Sequence, residues 1–127
     1  MITRLAELNM YRVRGYEFSF TTNTSFQWHP DRDGSFLRLE SGGGVSVNVN
    51  LTVQVPVAPA PPTGLRLWVE FYQGGVGSNT VNWPGTFDFQ TLGDEVPNTS
   101  VGSTTIWTGI FGVGGGSCFM TKLGEWP

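Results

Sequence analysis

From Val45 to Val55 the chain reads VSVNVNLTVQV, and no other stretch limits its fold so sharply. Val45, Val47, Val49, Leu51, Val53 and Val55 fall on one side, with Ser46, Asn48, Asn50, Thr52 and Gln54 on the other. Side chains alternate between faces along a strand, whereas a helix would spread both classes around its circumference. The segment reads as a strand with one face buried.

The runs YEFSF, TSFQWH, SFLRLE, LRLWVEFY, NTVNW, TFDFQ, TTIWTGIF and SCFMTKL follow the same rule, each bounded by Gly, Pro, Asn or Asp. Together they predict about nine short strands in an all-β fold, an antiparallel β-sandwich or jelly-roll-like barrel. The 18 glycines and 8 prolines fit tight turns, because apolar alternation continues between them. Only MITRLAELNMYR has helical spacing, and it reads equally well as an extended arm. The expected organisation is an N-terminal arm over residues 1–15 and a single β-sandwich domain over residues 16–127. Between two strands, VPVAPAPPTG is a stiff, polyproline-like connector or a ledge for a neighbouring subunit.

A chain of 127 residues buries about two thirds of its unfolded surface, enough for a core without staples. Cys118 is the sole cysteine, so no internal disulfide forms, which fits a reducing compartment. Seven basic residues against ten acidic ones, with the arginines scattered, lack the clustered positive face that nucleic acid requires. The N-terminal residues contain no apolar stretch long enough for a signal sequence. No segment approaches the roughly 20 apolar residues of a membrane-spanning helix. The expected product is neither exported by an ordinary signal nor inserted in a membrane.

Reactive chemistry finds little footing. His29 is the only histidine, in SFQWHPDRDG, with no GxSxG elbow and no cysteine spacing for zinc. Asp31–Ser35 starts like a calcium loop but has Phe36 at its sixth position and Gly42 at its twelfth, so it reads as an ordinary turn. Asp94 and Glu95 are neighbours and would point to opposite faces of a strand. GGVGS lacks the lysine and helix of a phosphate cradle. A hydrolase would have to pair carboxylates from separate strands, such as Glu70 and Asp88, and no motif supports one. No enzyme activity, cofactor or metal is expected.

The five tryptophans carry more information. Large aromatics fill sandwich cores and subunit contacts, and they also make platforms for sugar rings. Trp68 shares a side with Arg66 and Glu70, opposite the apolar side of its run, and so heads the outward candidates. Trp28, Trp68 and Tyr72 form the possible ligand platform. Asn23, Asn50 and Asn98 head NTS, NLT and NTS sequons, which carry no glycan without a secretion signal.

The order of motifs has a resemblance. A long alternating strand, a Pro/Gly connector, LWVEFYQGG, a Gly-rich turn, NTVNWPGTF and the final runs TTIWTGIF and SCFMTKL follow one another. Over roughly residues 44–122 this resembles the β-domain repeatedly found in tailed-bacteriophage virion proteins, both tail fibres and small capsid-decoration or head-fibre proteins. The ending GGGSCFMTKLGEWP is longer than is usual there, and residues 1–43 lie outside the resemblance.

The resemblance implies a homotrimer on the capsid exterior, made in the host cytoplasm, that binds the major capsid protein as a decoration (cement) protein. It equally admits a tail-fibre tip that recognises host surface glycan through Trp68, Tyr72 or Trp28. On either reading Gly74, Gly75 and Gly77 make a tight reversal, Trp83 plugs the end of the sandwich, and Pro84-Gly85 redirects the chain. The arm residues Ile2, Leu5 and Leu8, with Arg4, Arg12 and Arg14, suit an acidic, partly apolar groove on a capsid or a neighbouring subunit.

Overall fold

The structure, a computed structural model, describes residues 15–42, 49–56, 61–112 and 117–127. Among the described residues nine strands follow in chain order: β1 (Gly15–Phe20), β2 (Thr24–Gln27), β3 (Phe36–Ser41), β4 (Asn50–Gln54), β5 (Arg66–Tyr72), β6 (Thr80–Asn82), β7 (Phe87–Phe89), β8 (Thr104–Phe111) and β9 (Cys118–Trp126). Each coincides with one of the alternating runs. Among the described residues there is no helix, and so none able to cross a membrane. Residues 1–14 of the expected arm and 45–48 of the Val45–Val55 run lie outside the described residues, and Gly15 begins β1.

The strands form a six-stranded sheet, ordered β1-β3-β5-β8-β9-β7, and a three-stranded sheet, β2-β4-β6. Neither closes into a barrel. The expectation of antiparallel pairing needs correction. Among the described residues five ladders are parallel, and only β5–β8 and β8–β9 are antiparallel. The reason is the route of the chain, which visits the sheets alternately: β1, β3 and β5 in the large one, β2, β4 and β6 in the small one. Each return therefore lays a strand beside its predecessor in the same direction. Parallel strands need a crossover, and here a strand of the opposite sheet supplies it in place of the usual helix. The β8–β9 hairpin then fills the large sheet between β5 and β7.

Among the described residues one apolar core cluster draws on both sheets. Leu37, Val69 and Trp107 occupy successive register positions on β3, β5 and β8, all fully buried. Leu51, Val53 and Val81 face them from the small sheet, and Phe26 stacks on Phe18 at a ring separation of 4.3 Å, tying β2 to β1. Gly109 sits where any side chain would run into Met120, Cys118 and Leu67, so the glycine makes room for the sulfur-bearing residues of β9. Burial without a nearby cation pushes the Cys118 thiol up to about 12. The native protein should therefore resist thiol labelling at pH 8 and take up one equivalent in denaturant. Rapid native labelling by Ellman's reagent would contradict this packing.

Candidate functional site

Two regions concentrate polar or aromatic side chains: the outer face of the large sheet, and the end where β3 and β5 leave it. On the outer face, the β3–β5 register sets Phe36 beside Trp68, Arg38 beside Glu70 and Glu40 beside Tyr72. Alternation dictates this: Leu67, Val69 and Phe71 take the inward positions of β5, so Arg66, Trp68, Glu70 and Tyr72 point out. Arg38 is the hub. Its Nε lies 2.8 Å from Glu70, its Nη1 lies 3.1 Å from Glu40, and its guanidinium stands over Tyr72 at 6.0 Å. Partial burial works against its charge, but the hydrogen bond to Glu40 and the charges of Glu70 and Glu40 outweigh that, so its pKa lies above the ordinary arginine value.

Towards β8 and β9 the same face turns apolar. Ile110, Phe119, Leu123 and Trp126 are exposed there, the last two by 57% and 50%. A β-bulge between Ile106 and Trp107 leaves Leu123 without a register partner.

The second region went unread in the sequence. Gln73 is fully buried just beyond β5. Its amide nitrogen donates to the carbonyls of Asn79 (3.1 Å) and Asn98 (2.9 Å), and its side-chain oxygen accepts from Asn79 N (2.9 Å). Asn79 Nδ2 donates to Ser41 Oγ (3.0 Å) and to Gly74 O (3.1 Å), while its Oδ1 accepts from Val49 N (2.8 Å). Ser41 Oγ has one proton for either Tyr72 O or Gln73 Oε1, at 3.1 and 3.2 Å. Among the described residues no buried side-chain nitrogen or oxygen lacks a partner. The network holds structure rather than a ligand, since its polar atoms are spent on one another. A signal was available: Ser41 and Gln73 each continue the inward parity of their strand and precede Gly-Gly.

Those glycines meet there. A Cβ on Gly42 would lie 2.7 Å from Gly75 N, so the two turns touch backbone to backbone. Gly75 and Gly77 have positive φ (58° and 78°), whereas Gly74 serves by close approach to Ser41 O. Gly77 N donates to Gly74 O at 3.0 Å within this turn. The Trp-Pro-Gly step also has its structure: Phe87 N bonds Pro84 O at 2.9 Å, and Trp83 packs against Phe87, Phe89 and Trp107. Gly85 has open space and no positive φ, so nothing there demands glycine.

Other candidates disperse. Trp28 is removed from the platform: it is fully buried, with its indole donating to Gly34 O at 2.9 Å. Phe26 and Trp28 share one parity, and the small sheet turns that side inward. Ile2, Arg4, Leu5, Leu8, Arg12 and Arg14 lie outside the described residues. Asp33 bonds His29 N at 3.0 Å and closes the expected turn. Asp94 and Glu95 contribute their carbonyls, which receive the indoles of Trp107 (2.6 Å) and Trp83 (2.8 Å). Glu70 and Asp88 stand on β5 and β7, three ladder steps or about 14 Å apart before their offset along the strands, too far for paired glycosidase carboxylates. Among the described residues no cluster of His, Cys, Asp and Glu could hold a metal.

No family model, curated protein or solved structure matches this chain. The network around Gln73 generates a stability prediction. Asn79→Ala orphans Val49 N and two partners of its amide, and should cost about 2–4 kcal/mol in urea denaturation. A loss below about 0.5 kcal/mol, within the range of ordinary surface substitutions, would show that the network is dispensable.

Proposed function

We propose that this chain is a non-enzymatic structural protein of a tailed-phage virion, of the capsid-decoration type, acting through protein–protein contact on the capsid exterior. The observation that carries the reading is the outer face of the large sheet, where Ile110 and Phe119 are exposed side by side at one end of the β8–β9 ladder and Leu123 and Trp126 are exposed towards the other, with Thr108 and Thr121 between them. Exposed large apolar side chains gathered on one sheet face suit contact with another macromolecule. A decoration protein works by binding free energy alone: it bridges capsomers and opposes internal pressure, needing contact surface and no reacting group. The order of motifs over residues 44–122 points to the virion as the setting, with the major capsid protein as partner and the homotrimer as the assembly that the resemblance implies. The arm residues Ile2, Leu5 and Leu8, with Arg4, Arg12 and Arg14, are assigned to the capsid groove.

A second reading rests on Trp68 and Tyr72, which flank Glu70 and Arg38 on the outer face of β3 and β5. Aromatic rings beside hydrogen-bonding groups suit host surface glycan at a fibre tip. Co-sedimentation with capsids assembled without this chain separates the two. The decoration role predicts saturable binding that raises capsid heat resistance, and deleting residues 1–12 should abolish it while circular dichroism stays unchanged. Adsorption to host cells, lost in Trp68→Ala, with no capsid binding would transfer the assignment to the fibre tip. Binding to neither would defeat both.

A further inference from the structure

One line of residues crosses the outer face at a single level: Arg66 on β5, Ile110 on β8, Phe119 on β9 and Asp88 on β7, each opposite the next. All four are exposed. Their order is cation, apolar, apolar, anion, and the seam between β8 and β9 is the midpoint. Arg66 and Asp88 form none of the ion pairs found among the described residues. A twofold axis in the plane of contact, running along the strands over that seam, exchanges the ends of the line. It sets Arg66 over the partner's Asp88 and Ile110 over the partner's Phe119, twice each.

We propose that two copies of this chain dock face to face through β8 and β9 in this arrangement. A twofold interface must be complementary to itself, and a line with opposite charges at its ends meets that demand. The remaining outward positions of β8 and β9 are uncharged, so no like charges collide between the paired ends. The surface is also flat. A Cβ on Gly124 would stand 2.9 Å from the Trp126 ring, and one on Gly112 would stand 2.9 Å from the Phe119 ring. Both rings therefore lie down against the backbone, which suits sheets stacked about 10 Å apart. About that axis only β5, β8, β9 and β7 overlap their counterparts, a face roughly 15–20 Å by 20 Å. That falls below the ~800 Å² per partner of a standard interface, so the association is weak and concentration-dependent.

This pairing does not depend on capsid binding, and its twofold symmetry differs from the trimer that the resemblance implies. Sedimentation equilibrium of the full chain across the micromolar range tests it. The expected species is a dimer. Asp88→Arg and Arg66→Asp should each weaken association at least about tenfold by opposing like charges, and the double exchange should restore it. Circular dichroism confirms folding of each variant, and Ile110→Lys offers an independent loss of dimer. A monomeric or trimeric wild type would overturn the pairing, as would single reversals without effect or a folded double exchange without rescue. Pairing covers Ile110 and Phe119, so a dimer leaves capsid contact to the arm. A monomer that still binds capsids overturns only the pairing, and a dimer that binds none overturns only the capsid reading.

Discussion

Gln73 is a polar side chain placed where its strand calls for an apolar one, and the junction of the two sheets depends on how it is satisfied. It continues the inward parity of Leu67, Val69 and Phe71, so its amide enters the space between the layers. A buried amide without partners costs about 1–3 kcal/mol for each orphaned group. Here both of its protons and its oxygen are engaged, and the partners come from the 74–79 turn, the 98–103 segment and Ser41 at the end of β3. Asn79 extends the network to Val49, just before β4. One hydrogen-bonded knot thereby fixes where β3 and β5 stop and where β4 and β6 begin.

The glycines are the steric counterpart of that knot. Gly42 and Gly75 bring two turns into backbone contact, and any side chain between them would separate the strands that the amides join. With the inner face and this end committed to structure, the contacts proposed above fall to the outer face of the large sheet. That face is divided. Its β3–β5 half is aromatic and charged around Arg38, whereas its β8–β9 half is apolar and flattened by rings lying over glycines.

Much of this was legible beforehand. Parity placed Trp68 outward and Leu51 and Val69 inward, because a two-residue period needs only local chain geometry. The same rule applied to Trp28 gives the side of Phe26, which the small sheet buries. Taking Trp28 for a platform residue weighed its size over its parity. The parallel ladders were not legible. Alternation records that one face is buried, and antiparallel pairing is the commoner cause. Here a second sheet covers one face of a largely parallel array, and nothing local to a strand registers its neighbour's direction.

The sequence alone determined about nine strands, the inward sides of β4 and β5, the turn at Gly75 and Gly77, and a thiol with no cysteine to pair with. These follow from side-chain alternation, positive φ and simple counting, all of which act within a few residues. Only the tertiary structure decided that the chain alternates between sheets, that Ser41, Gln73 and Asn79 meet, and that Arg66, Ile110, Phe119 and Asp88 share one line. Those facts depend on ladder register between segments far apart in the chain, and register is settled by the packing of the whole core.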